Sequence, residues 1–198
     1  METADSLHDF WFGGAADEAA PQRQAKLWWG KSADADAAIA SRFGAMVEAA
    51  RTGALDHWRT SPRGTLALIL LTDQLPRNIF RGTPAAFASD TMAHALCTTG
   101  ISGGFDLQLT PVERVFFYLP LEHAESMSAQ DRSVAQYTAL LEQVPASAKD
   151  TFRNYLDYAQ RHRSVIDRFG RFPHRNVILG RVSSPEEDAF LKQPGSSF

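Results

Sequence analysis

The chain has 198 residues, of which 44% are hydrophobic and 22% are charged, and its formal net charge is -3. This length suits one domain with a substantial core, and the slightly negative charge argues against nucleic-acid binding through overall basicity. The one cysteine excludes an internal disulfide and a cysteine-based zinc cluster. The N-terminus lacks a basic start followed by an apolar run, and the longest apolar block, LALILL, is too short to span a bilayer. We therefore expect one cytoplasmic domain over residues 1–198, with neither nucleic acid nor membrane as a partner.

Ser/Thr-Pro pairs mark the clearest predicted helix starts along the chain. The hydroxyl side chain can accept a hydrogen bond from a free backbone N–H, while proline takes the first helical position without losing a bond. Glu113 and Glu187 follow two of these caps at capping-box spacing, and Ser128 begins a weaker version, SAQD. The capping residues predicted in this way are Ser61, Thr83, Thr110 and Ser184.

Apolar residues recur at helical spacing behind these starts, and strand signals are nearly absent. The LALILL segment is apolar on all sides of its helix, which predicts a position at the centre of the domain. Short connections indicate antiparallel helical hairpins, although no self-similar repeat of about 34 residues is present. The predicted fold class is therefore all-α. Its helices are expected near residues 5–12, 33–51, 54–60, 62–75, 84–98, 111–119, 129–143, 147–169 and 185–192.

The first of three polar clusters is LLTDQLPRNIF, at the end of this apolar helix. Asp73 and Arg77 are four residues apart, so they can share one helix face. The same spacing relates Gln74 to Asn78. Pro76 is expected to end or kink the helix, because it removes one backbone N–H. The segment is therefore either part of a binding site or a helix C-terminus with a local Asp73–Arg77 salt bridge.

The second cluster, ERVFFYLPLEHAES, places charged residues around an apolar helix. Pro120 is expected to break this helix just before Glu122 and His123. Because those two residues are adjacent, about 100° apart on a helix, they cannot bind one metal as the Glu-x-x-His pair of a di-iron bundle does. In an irregular backbone they could still converge on a proton or a cation, whereas Glu113 is best explained by its capping box.

The third cluster, RHRSVIDRFGRFPHRNVILGR, contains six arginines and a single acid, Asp167. Gly170 is suited to end a helix, and phenylalanines anchor the loop that follows. The loop donors either bind carboxylates of the other clusters or remain free for a phosphate or carboxylate ligand. The donors are Arg171, His174, Arg175 and Asn176, and the candidate carboxylates are Asp73, Glu113, Glu122 and Glu125.

His162 and His174 also lie in the third cluster, where only the fold can bring them together. A neutral imidazole near Glu122 would suit a general base or a metal ligand, but no short metal motif accompanies either histidine. Cys97 lacks a Cys-x-x-Cys partner and is expected to be a small core residue rather than a nucleophile. The sequence therefore assigns no metal site.

Four long motifs run through the chain: LHDFWFGG, LALILLTDQLPRNIFRGTPAAFASD, ERVFFYLPLEHAES and RFGRFPHRNVILGRVSSPEEDAFL. In amino-acid sequence and in order along the chain, they resemble the recurring motifs of the bacterial domain-of-unknown-function family 924. The resemblance implies an all-α fold similar to tetratricopeptide-like helical domains. It brings no activity, substrate or cofactor with it.

Two functional hypotheses follow from the three clusters. The leading one is a site for a small anionic molecule, with or without catalysis, where the clusters meet. The alternative is a tetratricopeptide-like interaction module whose concave surface binds an acidic peptide. The same residues would otherwise form a buried salt-bridge scaffold without a ligand. The sequence assigns no particular cofactor and no oligomeric state. The predicted acid–base residues are Glu122, His123 and His174, and the predicted ligand-binding residues are Asp73, Arg77, Asn78, Arg171, Arg175 and Asn176.

Overall fold

The computed structural model describes residues 2–196, and all regular structure in that range is helical, which confirms the all-α prediction. A π-helical segment (Leu70–Gln74) joins α4 to α5. The α-helices are α1 (Ala4–Phe12), α2 (Ala20–Trp29), α3 (Ala33–Arg51), α4 (Pro62–Ile69), α5 (Leu75–Ile79), α6 (Asp90–Ser102), α7 (Pro111–Glu122), α8 (Met127–Gln143), α9 (Lys149–Phe169) and α10 (Pro185–Leu191). Short 3-10 turns lie at Asp56–Thr60, Pro84–Phe87, Asp106–Gln108, Ala146–Ala148 and Pro173–Arg175.

Hydroxyl caps begin three of these helices as predicted. The side chains of Ser61, Thr110 and Ser184 each accept a hydrogen bond from the backbone N–H three residues later. Both predicted capping boxes are also confirmed, because the carboxylates of Glu113 and Glu187 accept 2.7 Å hydrogen bonds from the backbone N–H of the capping residue. Local sequence therefore fixes the starts of α4, α7 and α10.

Two other predicted helix starts are wrong. The Thr83 hydroxyl donates to the carbonyl of Phe80 at 2.8 Å instead of capping a helix, and only a short 3-10 turn follows it. The long helix of this region, α6, consequently begins later, at Asp90. Ser128 lies inside α8, where its hydroxyl contacts that of Ser126 at 3.0 Å.

The helix map needs three further corrections. Near residues 54–60, where a helix was expected, the structure has only the 3-10 turn Asp56–Thr60. α2 occupies a segment in which no helix was predicted, because its cap, Ala19, makes no side-chain hydrogen bond and so gives no hydroxyl capping signal. α7 continues past Pro120 to Glu122, contrary to the predicted break. The proline removes one N–H very near the end of the helix, and the Gln130 amide donates to the Glu122 carbonyl at 2.6 Å, which closes that end.

The core is centred on α4 and α7. Residues 66–71 are at most 2% exposed, which confirms the central position predicted for LALILL. The Phe116 ring of α7 lies 5.6 Å from Trp11 and 4.6 Å from Trp28, so α7 also anchors the two N-terminal helices. Cys97 is buried as expected, and burial raises the pKa of its thiol.

Neighbouring helices in the second half of the chain pack lengthwise across short connections. α8 packs along α7 and α9, and residues 123–126 and 144–148 make the two links. Such short links between packed helices give antiparallel hairpins, whereas the narrower tetratricopeptide-like description stays a prediction. α9 ends at Gly170, whose φ of 67° is the predicted left-handed conformation. No helix within residues 2–196 combines the length and hydropathy needed to cross a bilayer.

Candidate functional site

The π-helical segment between α4 and α5 positions the first polar cluster. Pro76 has no N–H, so the usual bond to the carbonyl of Thr72 cannot form. The N–H of Leu75 instead bonds the carbonyl of Leu70, five residues earlier, and the helix continues beyond the proline as α5. The Asp73 side chain within this widened turn is completely buried.

Asp73 forms a buried ion-pair centre. Its carboxylate lies 2.7 Å from Nδ1 of His123 and 3.8 Å from Nη2 of Arg77, and it accepts a hydrogen bond from the Gln74 amide. Burial alone would raise the pKa of Asp73, but the charge and hydrogen bond of His123, together with Arg77 and Gln74, hold it at about 2. Asp73 is therefore an anion at neutral pH. The predicted Asp73–Arg77 pair is present, but the contact with His123 is shorter.

His123 directly follows α7 and is oriented by Asp73. Because an ionised carboxylate only accepts hydrogen bonds, Nδ1 of His123 carries the proton in this pair. The His123 side chain is 17% exposed, and no residue within 2–196 hydrogen-bonds its Nε2. A carboxylate that holds Nδ1–H in this way leaves Nε2 able to exchange a proton with a bound molecule.

A second carboxylate–imidazole pair lies beside the first. Nδ1 of His162, on α9, is 3.0 Å from the buried Glu122 carboxylate and 2.9 Å from the carbonyl of Tyr158. The rings of His162 and His123 are 6.2 Å apart. Glu122 and His123 thus have different partners, as their angular separation on a helix requires. The two pairs bring the π-helical segment, the end of α7 and α9 together.

Asp90, the first residue of α6, connects the first polar cluster to the third. Its carboxylate lies 2.8 Å from Nη2 of Arg77 and accepts a 3.3 Å hydrogen bond from Nη1 of Arg175. Burial raises the pKa of Asp90 above its ordinary value, although both arginines act in the opposite direction. We refer to these seven residues as the central cluster: Asp73, Arg77, Asp90, Glu122, His123, His162 and Arg175.

Arg175 is the most unusual member of the central cluster. Its side chain is only 7% exposed, and its guanidinium carbon lies 4.5 Å from the ring centroid of Phe172 and 4.8 Å from that of Phe87. A guanidinium carries N–H donors on all three nitrogens. Within residues 2–196, however, the Arg175 side chain makes only the hydrogen bond to Asp90, and its buried Nε has no acceptor. Burial and then the nearby Arg77 charge lower the pKa of Arg175 to about 10, so it remains charged at neutral pH.

Ion pairs hold the rest of the arginine-rich loop. Arg181 donates to Glu125 at 2.7 Å, and the N–H of Phe172 donates to the same carboxylate at 2.8 Å. Arg171 donates to both oxygens of Glu187, at 2.6 and 2.7 Å, and this pairing lowers the pKa of Glu187 to about 2. All six arginines of the third cluster contact a carboxylate. The pairs are Arg161–Asp157, Arg163–Asp131, Arg168–Glu186, Arg171–Glu187, Arg175–Asp90 and Arg181–Glu125.

The two predicted asparagines lie outside the central cluster. The amide of Asn78 donates to Asp36 at 2.8 Å, which ties α5 to α3. Asn176 is completely buried, donates to Ser183 at 3.0 Å and accepts from Arg181 at 3.0 Å. Both side chains therefore hold the segments that carry the central cluster.

His174 and Glu113 have distinct surroundings. Burial and then the charge of Arg175 lower the pKa of His174 to about 3, so its imidazole is neutral at physiological pH. Besides its capping bond, the Glu113 carboxylate lies 2.6 Å from Nε2 of His8, on α1. Glu113 is thus part of a contact between α1 and α7 and binds none of the six loop arginines.

Two surface cavities lie away from the central cluster. One, of about 390 Å³, is lined by residues that include Arg161 and Phe190, and the other, of about 280 Å³, is mostly apolar and includes Val144 and Phe152. At the central cluster, the Asp90 carboxylate contacts both arginines itself. In the described part of the chain, no group of three or more His, Cys, Asp or Glu side chains is arranged to hold a metal ion.

Comparison with known proteins identifies the family. A family model described as a bacterial protein of unknown function (DUF924) matches residues 7–195. The chain belongs to this family. It is also similar to a solved structure, that of ATU0120, a protein of unknown function from Agrobacterium tumefaciens, with 38% identity, 96% of each chain covered and a TM-score of 0.81. The search of curated proteins found no match.

Sequence reasoning missed Asp90, and it did not place His162 among the site residues. Asp90 ends the motif AAFASD, and an acid at the start of a helix normally indicates only a favourable helix terminus. The contacts with Arg77 and Arg175 span 13 and 85 residues of sequence, so no local pattern could reveal them. A histidine beside Glu122 would suit a general base, and the structure brings His162 within 3.0 Å of that carboxylate.

Proposed function

We propose that the central cluster binds a small anionic molecule and transfers a proton to or from it. The proposal depends on the Arg175 side chain, which is almost completely buried yet makes one hydrogen bond, to Asp90 at 3.3 Å. Burying a charged donor without enough acceptors is destabilising, which favours a ligand that supplies them. Carboxylate and phosphate oxygens fit the donor fork of an arginine best.

Arg77 would be the second contact to the anion, because both arginines converge on the same point. Their guanidinium groups meet at the Asp90 carboxylate and both lie against the ring of Phe87, at 4.5 and 4.8 Å. The other predicted ligand-binding residues would act as supports, because their donors already bond within the protein. These supports are Asn78, Arg171 and Asn176.

His123 would be the group that exchanges the proton. Asp73 would be its positioning residue, since a buried anion that fixes Nδ1–H sets both the tautomer and the direction of Nε2. Glu122 would act through His162 in the same way. His174, whose pKa is about 3, would contact a ligand as a neutral imidazole and would not carry a proton at neutral pH.

Binding of an acidic peptide is the second candidate function. Val177 and Val182, in the loop after Arg175, are 86% and 88% exposed, so apolar surface lies in the same segment of the chain. A peptide carboxylate would then contact the arginines while its side chains cover the valines. This alternative predicts that an acidic peptide stabilises the protein more than a small anion of equal charge does.

Thermal unfolding with added anions tests both candidates. The probes are acetate, succinate, inorganic phosphate, a sugar phosphate and an acidic peptide, applied to the parent chain and to Arg175→Met. The matched control is Arg153→Met, which removes an exposed arginine of α9. A ligand at about one hundred times its Kd adds roughly 2.7 kcal/mol of stability. We expect this increase in the parent and in the control, and its loss in Arg175→Met.

An unchanged unfolding temperature with every probe would contradict the proposal, and so would an equal shift in Arg175→Met. The positioning of His123 by Asp73 has its own measurement, the NMR signal of the His123 Nδ1 proton. The signal should be present in the parent chain and lost to solvent exchange in Asp73→Leu, which offers that proton no acceptor.

A further inference from the structure

The central cluster already holds a carboxylate at the point where an anion would bind. Asp90 lies 2.8 Å from Arg77 and 3.3 Å from Arg175, and it is the one acid in the described chain that pairs with Arg175. We propose that the ligand is a small carboxylate and that Asp90 is its internal competitor. The ligand displaces the Asp90 carboxylate from the two arginines. This inference rests on the proposed function.

Displacement of Asp90 preserves the charge balance of the site. Asp73 and Asp90 face the guanidinium groups of Arg77 and Arg175, so two negative charges meet two positive ones. An anion that entered beside Asp90 would leave one negative charge uncompensated in a buried place. An anion that replaced the Asp90 carboxylate would leave no buried charge uncompensated, provided that this carboxylate moved into water.

The position of Asp90 allows that movement. Its side chain is 22% exposed, whereas those of Asp73 and Arg175 are 0% and 7% exposed. It is also the first residue of the 13-residue helix α6, where a rotation about its own side-chain bonds leaves the helix unchanged. Of the two carboxylates that face the arginines, Asp90 rather than Asp73 is therefore the one that can turn away into water.

The surroundings favour a carboxylate over a phosphate. The ring of Phe87 lies within 4.8 Å of both guanidinium carbons, and that of Phe172 lies 4.5 Å from Arg175. A flat carboxylate can approach the edge of a guanidinium beside such rings. A tetrahedral phosphate carries more oxygens and more negative charge, which would lie against the negative faces of the rings.

An internal competitor lowers the apparent affinity in proportion to the time that it occupies the site. Asp90→Asn removes the competing charge, so we expect its Kd for acetate to fall by at least about tenfold. Asp90→Ser is a second neutral variant that suits the start of a helix. Asp90→Glu keeps a competing carboxylate, so its affinity for acetate should rise little.

Isothermal titration of acetate, succinate and inorganic phosphate into these variants makes the test. Any loss of a negative charge favours anions in general, so the control is Asp131→Asn, which removes one carboxylate from the Arg163 pair and changes the net charge equally. We expect Kd values for Asp131→Asn and Asp90→Glu to stay within about threefold of the parent value.

The outcomes separate this inference from the proposed function. Equal acetate affinity in the parent and in both neutral variants would overturn the competitor role while leaving the anion site intact. A larger gain for phosphate than for acetate would overturn the choice of carboxylate. The absence of binding of any probe to the parent and to the folded neutral variants would overturn the inference and the proposed function together.

Discussion

Replacing Arg175 with methionine should remove anion binding and still leave the fold as stable as before, or more so. Methionine keeps an unbranched side chain that can pack against Phe87 and Phe172, but it carries no charge. The expectation follows from the burial of Arg175 and from its single hydrogen bond to Asp90.

The magnitude follows from the pKa of Arg175, which burial lowers to about 10. A free guanidinium titrates above about 12, and each pKa unit corresponds to about 1.4 kcal/mol, so the charged form costs about 3 kcal/mol in the fold. For a base whose pKa falls on folding, this cost is fully present below the folded pKa and disappears only as pH rises beyond 10. That figure already includes the attraction of Asp90, which raises the pKa of Arg175, so it is the upper limit of the gain. The net change should lie between zero and a gain of about 3 kcal/mol.

Urea unfolding at pH 7, followed by tryptophan fluorescence, measures this change, because Trp11 and Trp28 are buried. The control Arg153→Met should change the free energy of unfolding by less than about 0.5 kcal/mol. A loss of more than about 2 kcal/mol in Arg175→Met would refute the reasoning. It would mean that the Arg175–Asp90 pair holds the helices together and that the anion site must be sought elsewhere.

Three further predictions concern stability. Asp73→Asn should cost about 2 kcal/mol at neutral pH, because the folded pKa of Asp73, about 2, lies below its ordinary value near 4. Stability from such a lowered pKa is lost as pH falls from about 4 to 2. The free energies of unfolding of the parent and of Asp73→Asn should therefore converge across that pH range, and a constant difference between them would contradict the ion-pair account. Gly100→Ala should cost about 1–3 kcal/mol in urea unfolding, because the new Cβ would lie 2.5 Å from Cζ of the fully buried Phe117. Its control is Gly44→Ala in α3, where no atom outside the helix backbone lies within 4 Å of the new Cβ, and the free energy of unfolding should rise by about 0.5–1 kcal/mol. A rise at both sites would argue against tight packing of α6 on α7. Thr110→Ala should cost about 1 kcal/mol by thermal unfolding through loss of the α7 cap, while Thr83→Ala, which caps no helix, should cost close to nothing; equal costs would refute the capping explanation.

Local signals in the sequence were sufficient for much of the helical framework. Ser61, Thr110 and Ser184 begin helices, and Gly170 ends one, because capping depends on atoms three or four residues apart. The same locality explains the failures. α2 has no side-chain cap, so the capping signal does not mark its start. The π-helical turn at Leu70–Gln74 carries the chain through Pro76, where an end or a kink of the helix was expected.

The sequence by itself determined the all-α class, most helix starts, the central place of LALILL and the three segments that carry the polar residues. Only the tertiary structure decided which charges meet. Asp73 pairs with His123 across 50 residues of sequence, and Arg175 pairs with Asp90 across 85. The partner of Glu125 is Arg181 and not Arg175. These partners are chosen by helix packing, and the burial that leaves Arg175 short of acceptors arises from the same packing. Periodicity and capping act within a turn or two, so they can indicate that a segment is polar but cannot say what it faces.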